Sequence, residues 1–177
     1  RVHRRQRQMC IRDSNKVVPS AESLASLNTS YTKEGAYIYI PEGICPEDPV
    51  QIMHFSTGSQ NSIWLQPRNL IIADKGSKIE IIERHQSLKD HSVVTNSLTE
   101  IYAERNAFVD YYKIQNDLKT SSLIDNTFIS QERDSNVSVH TFSFGGKLTR
   151  NNLNFYHKGE NIQSVSYTHL TLPTMDS

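Results

Sequence analysis

Three stretches decide the fold: Ile71-Ile72-Ala73-Asp74-Lys75-Gly76-Ser77-Lys78-Ile79, Ile101-Tyr102-Ala103-Glu104-Arg105-Asn106-Ala107-Phe108-Val109 and Ile129-Ser130-Gln131-Glu132-Arg133-Asp134-Ser135-Asn136-Val137. They begin 30 and then 28 residues apart. Each is a β-type run, an acid-base pair, a residue that tolerates a left-handed backbone, a small residue and a second β-type run. Repetition at this period predicts a solenoid, whose units bury their apolar faces only by stacking on one another.

Alternation assigns directions to the side chains. Ile71, Ile101 and Ile129 form one apolar column, Ile79, Val109 and Val137 a second, and Ile81, Tyr111 and Val139 a third. These are expected to face the interior. Lys78, Phe108 and Asn136, then Glu80, Asp110 and Ser138, form columns expected outside. Gly76, Asn106 and Asp134 are the residue types that best accept positive φ, so the chain should turn there. The pairs Asp74-Lys75, Glu104-Arg105 and Glu132-Arg133 then read as solvated corners rather than as a catalytic row. A fourth copy is expected to begin at Lys158-Gly159-Glu160-Asn161-Ile162. The fold class is all-β, a parallel β-helix made as a single-stranded solenoid. Between Ala36 and Ile162 the density of Ile, Val, Thr, Tyr, Phe and turn residues disfavours helices.

Upstream, Ala36 to Ile40 reads as a strand closed by Pro41-Glu42-Gly43. Val50 to Phe55 is the next strand, Ser56 to Asn61 a polar turn, and Ile63 to Leu65 and Leu70 to Ala73 are strands interrupted by Pro67. Asn15 to Tyr31, with serines around Leu24 and Leu27, predicts a short helix and a lead-in loop.

The ends read differently from the middle. Arg4 to Ser14 resembles one translated frame of a transposase sequencing adapter, and Val165 to Thr174 resembles its reverse complement. Residues 1–14 and 164–177 are therefore expected to be non-native tails around residues 15–163, part of a truncated β-helix. The competing reading of the N-terminus is a basic nucleic-acid arm. Five arginines and Asp13 lie in the first tail and Asp176 in the second. Setting them aside turns a neutral chain of 177 residues into a segment with 14 basic and 17 acidic residues. That balance gives no nucleic-acid footprint. Cys45 is the one cysteine left, which precludes an internal disulfide and fits a reducing compartment. No apolar run approaches the ~20 residues of a membrane helix.

Several stretches also resemble a known family. They are Ala36-Tyr37-Ile38-Tyr39-Ile40-Pro41-Glu42-Gly43 with Pro49-Val50-Gln51-Ile52, Pro67-Arg68-Asn69-Leu70-Ile71-Ile72, Glu100-Ile101, Lys113-Ile114-Gln115, and Ser143-Phe144-Gly145-Gly146-Lys147-Leu148-Thr149-Arg150-Asn151-Asn152-Leu153. Together they resemble the SufB/SufD family of the Suf iron-sulfur cluster assembly system, SufD more closely than SufB. SufB proteins carry a cysteine-bearing segment where this chain has Arg84-His85-Gln86-Ser87. The resemblance implies a right-handed parallel β-helix that acts in the cytoplasm as a scaffold, paired with a SufB-like subunit and bound to a SufC-like ATPase. The iron-sulfur cluster would form transiently at the level of the complex, with ATP used by the partner. The family's cluster-forming and partner-contacting residues belong to later coils and terminal helices. None is carried onto this chain, so no catalytic, cofactor-binding or metal-binding residue is expected here.

Other constellations point to rival chemistry. Clusters are held by several thiolates, and Cys45 has no C-x-x-C partner, so it reads as an inert loop cysteine. His54, His85, His91, His140 and His157 lack carboxylates at fixed spacing and read as surface or loop residues, with His140 in an outward phase. Gly145-Gly146-Lys147 lacks the spacing and the following helix of a phosphate loop and reads as a corner between coils. The main alternative is a carbohydrate-active β-helix enzyme, a polysaccharide lyase or hydrolase. Glu80 and Asp110 would stand on adjacent coils about 4.8 Å apart, near the ~5 to 5.5 Å of a retaining carboxylate pair, with Phe108 as a sugar platform.

Overall fold

The computed structural model describes residues 22–57 and 62–171. The expected tail over 1–14, the start of the predicted helix, most of the polar turn before Asn61, and the last six residues lie outside this range.

Helix α1 (Ser23–Tyr31) precedes eleven strands: β1 (Tyr37–Ile40), β2 (Val50–Ser56), β3 (Ile63–Leu65), β4 (Arg68–Ala73), β5 (Lys78–Ser87), β6 (Val93–Ala103), β7 (Phe108–Asn116), β8 (Ser121–Gln131), β9 (Asn136–Phe144), β10 (Leu148–His157) and β11 (Gln163–Thr171). From β4 onward, successive strands go alternately to two sheets. One has the order β1-β4-β6-β8-β10, with β3 also on β6, and the other β2-β5-β7-β9-β11. Every pairing is parallel. This is the parallel β-helix that the repeats predict.

Register follows the columns read from the sequence. Ile71 pairs with Ile101 and Ile101 with Ile129, while Ile79 pairs with Val109 and Val109 with Val137. All six are buried, as are Ile81, Tyr111 and Val139. Like residues on adjacent coils fill the same slot, so each coil completes the core of the next.

The corners explain the rest of the phrase. Ser77 N donates to Asp74 O, Ala107 N to Glu104 O and Ser135 N to Glu132 O, closing four-residue turns. Gly76, Asn106 and Asp134 have φ of 64°, 58° and 59° at the third position, where a type II turn needs positive φ. Their N–H groups stitch coil to coil: Gly76 donates to Arg105 O (2.9 Å), Asn106 to Arg133 O (3.1 Å) and Asp134 to Glu160 O (3.0 Å). Ser77, Ala107 and Ser135 are small because the turn presses them inside, where each is at most 1% exposed. The fourth copy is present: Asn161 has φ 56° and its Nδ2 donates to Asp134 Oδ1. A copy that the spacing does not reveal precedes the others, with Gly43 at φ 72° donating to Lys75 O. Pro46 and Pro49 hide it, because they stretch the connection between this turn and β2.

Two boundaries differ from expectation. The sequence reading sets residues from Ser164 aside as a tail, yet Gln163–Thr171 forms β11 in parallel register on β9, from Gln163↔Asn136 to Thr171↔Phe144. Alternating Ser, Val, Tyr, Thr and His residues suit a strand whatever the origin of the segment. Strand β5 also runs on to Ser87, so His85 lies in a strand rather than in a loop.

At nine residues and without a side-chain N-cap, α1 is too short to persist alone. It is held by the outer face of the first sheet. Asn28 Nδ2 donates to Pro67 O (3.0 Å) and Asn96 O (2.8 Å), Asn96 Nδ2 returns a bond to Leu24 O, and Ala25 packs on Leu98 and Phe128. Beneath it, Arg68 pairs with Glu100 and donates to Thr29 Oγ1.

Candidate functional site

On the three central strands of the second sheet the inward phase starts apolar and becomes polar. On β5 it reads Ile79, Ile81, Glu83, His85, Ser87; on β7, Val109, Tyr111, Lys113, Gln115; on β9, Val137, Val139, Thr141, Ser143. All are buried. The facing strands contribute Asn69, Thr99, Asp125 and Thr127, buried as well. The coil interior thus has an aliphatic half next to the repeated corners and a polar half at the other end. Buried polar groups are costly unless paired, so their partners define the site.

Glu83 is at its centre. Its Oε1 lies 3.0 Å from His54 Nε2, 3.1 Å from His85 Nε2 and 2.9 Å from Asn69 Nδ2. Tyr111 donates its hydroxyl to Oε2. His54 and His85 are register partners on β2 and β5, and their rings stack with centroids 4.5 Å apart and 16° between planes. Burial alone would push the Glu83 carboxyl up. Hydrogen bonds from His54 and His85, together with their charge, outweigh it and hold the carboxyl well below the usual carboxylate range. Tyr111 moves the other way: burial, then the charge of Glu83, raises its phenol well above the ordinary value. His54 and His85 also line a cavity of about 450 Å³ that reaches Met53, Phe55, Pro67 and Asp117.

One coil further on, Lys113 pairs with Asp125 across the two sheets and donates to Thr127 Oγ1 (2.7 Å). Burial lowers its ammonium to about 8, opposed by the field of Glu83. Beyond it, Ser87 donates to Asp117 Oδ1 and shares a hydrogen bond with Ser121, and Thr149 donates to Gln115 Oε1. Gly145 and Gly146, at φ 94° and 82°, form the bend between β9 and β10 that the sequence reading places there. A Cβ on Gly145 would meet Asp117 O at 2.6 Å, so the bend requires a residue without one.

The residues singled out in the sequence fall elsewhere. Glu80 and Asp110 are register partners on the outer face, as expected, with Phe108 exposed beside them. Cys45 is exposed just past the first corner. The corner charges are solvated: Lys75 reaches back to Glu42 (3.1 Å), and Arg133 pairs with Asp134 (3.0 Å). His140 faces outward in a stack between Tyr112 and Tyr167. His91 does lie in the loop between β5 and β6, although it is buried there. The expectation of surface or loop histidines fails for His85, buried on β5, and for His54, which turns inward onto Glu83. Its cause is the assumption that a strand ends where its apolar residues end. Glu83, Tyr111, Lys113 and Asp125 escape notice as a group for the same reason. The signal is present in the alternation: counting by two from Ile79 and Ile81 reaches Glu83 and His85 in the inward phase.

Among the described residues, no helix is long and apolar enough to cross a membrane. A family model described as "SUF system FeS cluster assembly, SufBD core domain" matches residues 54–173. The chain is 30% identical over 146 residues to the protein ABCI7, chloroplastic, of Arabidopsis thaliana, covering 79% of this chain and 31% of that protein. An iron-sulfur cluster assembly SufBD family protein of Synechocystis sp. is 25% identical over 147 residues, 78% of this chain and 32% of the relative. A SufBD family protein of Staphylococcus aureus is 34% identical over 102 residues, 56% of this chain and 22% of the relative. The chain thus spans about a third or less of the length of these relatives. With a family model matched across coils that the structure builds in continuous register, the chain belongs to the SufBD core family of the SUF iron-sulfur cluster assembly system.

Proposed function

We propose that the chain is a SufD-like scaffold in iron-sulfur cluster assembly, binding partner subunits rather than catalysing a reaction of its own. The observation that carries this reading is the SufBD core match over residues 54–173, which runs from the end of β2 through β11. The SufD assignment rests on Arg84-His85-Gln86-Ser87, which has no cysteine where SufB proteins bear one. Cys45 is exposed and has no second thiol beside it among the described residues, so this part of the chain offers no thiolate set for a cluster. The cluster is then cargo of the complex. A SufB-like subunit would share the assembly surface, and a SufC-like ATPase would use ATP to rearrange it.

The architecture suits such a role. Stacked coils are stiff along their axis, and parallel strands leave hydrogen-bonding edges at each end of the stack. We assign the cytoplasm as the compartment; the Arabidopsis relative carries "chloroplastic" in its own name. Family membership lends no support to a carbohydrate-active role for Glu80 and Asp110.

The test is co-expression of the full-length protein with SufB-like and SufC-like subunits from the same source. A stable complex should co-purify, and cluster formation on it should fall when this subunit is left out. Absence of a complex, together with unchanged cluster formation, would overturn the proposal.

A further inference from the structure

We propose that His54, His85 and Glu83 form a binding site for a divalent first-row transition-metal ion inside the β-helix, at the wall of the 450 Å³ cavity. This inference is independent of the scaffold reading, because it concerns ion binding by three side chains of this chain.

The geometry carries it. The three donor atoms lie within 4.8 Å of one another, and the two histidine nitrogens are 3.0 and 3.1 Å from the same carboxylate oxygen. Ligand bonds of ~2.1 Å place neighbouring donors of an octahedral ion ~3.0 Å apart. Each histidine nitrogen therefore stands near a cis separation from the carboxylate oxygen, with the two nitrogens within 4.8 Å of one another. Both Nε2 atoms face Glu83 Oε1 in hydrogen bonds, so an ion would replace those bonds, with the ring protons on Nδ1 and the rings swung so that their lone pairs meet beside the oxygen rather than on it.

The surroundings are those of a metal ligand set. Asn69 and Tyr111 donate to the two oxygens of Glu83 and fix its plane, as outer partners of ligating carboxylates do. Burial of Glu83 and His85 excludes competing water, while His54, partly exposed on β2, faces the cavity through which an ion could enter. Two imidazoles and one carboxylate are borderline donors suited to Fe(II), Co(II), Ni(II) or Zn(II). They are unsuited to a thiolate-held cluster. The remaining coordination positions would face the cavity and hold water or a ligand. Without an ion, the same contacts serve as a buried carboxylate-histidine pairing, and the experiment must separate the two.

The full chain, carrying Cys45→Ser together with Cys10→Ser to remove both thiols, is titrated with Co(II) by visible absorption and with Zn(II) by equilibrium dialysis. One equivalent of each ion should bind, with Co(II) d–d bands and no thiolate charge-transfer band. His54→Gln removes a ligand from a partly exposed edge-strand position and should weaken Zn(II) binding at least tenfold; folding is checked by circular dichroism. Glu83→Gln should weaken it further. The proposal is overturned if the Cys10→Ser/Cys45→Ser protein binds neither ion at stoichiometric level. It is equally overturned if folded His54→Gln keeps the affinity and the Co(II) spectrum. Should His54→Gln fail to fold, a Co(II) spectrum of the Cys10→Ser/Cys45→Ser protein without d–d bands of nitrogen-oxygen ligation decides against the site.

Discussion

Ile79 and Glu83 lie on the same strand, in the same inward phase and about 13 Å apart along it, yet they belong to two differently built interiors. Ile79 pairs with Val109 and belongs to one buried cluster with Ile71, Ile101 and Val137, all apolar. Around Glu83 they are His54, His85, Asn69 and Tyr111, and every contact is a directed hydrogen bond. Apolar burial has no preferred direction and tolerates any residue of the right volume. A buried polar cluster holds only if each member finds its partner. The aliphatic half therefore specifies the coil, and the polar half adds chemistry that any β-helix could do without.

The largest expected effect tests the polar half. Lys113→Met leaves the Asp125 carboxylate buried without its ion pair, which costs about 3–5 kcal/mol when one partner of such a pair is removed. Urea denaturation of the full-length protein should show this loss, and Lys113→Met/Asp125→Leu should recover most of it. A single variant within about 1 kcal/mol of wild type would mean that the polar half is not organised by this pair. The same lysine predicts a pH effect. It titrates near 8 in the fold, against an ordinary 10.5. Between those values the unfolded chain holds the extra proton, so stability from this group rises with pH across that window, against the opposing loss of its charge beside Asp125. The slope should be present in wild type and absent in Lys113→Met, the difference removing contributions from tyrosines.

Ile101→Ala probes the aliphatic half at its centre, where Ile101 is 0% exposed between Ile71 and Ile129. Removing its methylene and methyls should cost about 2–5 kcal/mol. Unlike Lys113→Met, this loss should not be recovered by any single partner change, because the contacts are spread over several coils. Recovery by one neighbouring substitution would show that the stack acts as discrete pairs.

How far the sequence can be read follows from the same contrast. Ile71, Ile101 and Ile129 declare themselves by type and by period, so the coil, its register and its later corners are legible from the repeat. Glu83, His85 and Lys113 sit in the same phase, but their types are those of exposed residues, and residue type normally outweighs phase in a single sequence. Only parallel stacking on both sides makes the interior reading compulsory, and that is a property of the assembled coils. Asp125 and Asn69 are less legible still, since their partners Lys113 and Glu83 come from the other sheet, 12 and 14 residues away in the chain. Gly43 is legible as a turn but not as a copy of the repeat, because its corner leads into Ile44-Cys45-Pro46 rather than directly into a strand.

The smallest effect concerns the corners, which belong to neither half. Asn106 has φ 58° and gives its N–H to Arg133 O. Asn106→Gly and Asn106→Val both retain that N–H, and the position is exposed, so neither changes core packing. The two substitutions differ in the strain of a left-handed backbone, which a β-branched residue bears at about 1–2 kcal/mol and glycine does not. Glycine has an opposing effect through the greater freedom it gives the unfolded chain. Asn106→Val should therefore lower the urea midpoint clearly, and Asn106→Gly only slightly. If the two variants melt together, the coil relaxes around a strained corner and the left-handed residue is a consequence of the stacking. If they separate as expected, the corner is an independent local determinant, and the aliphatic columns need it in order to meet in register.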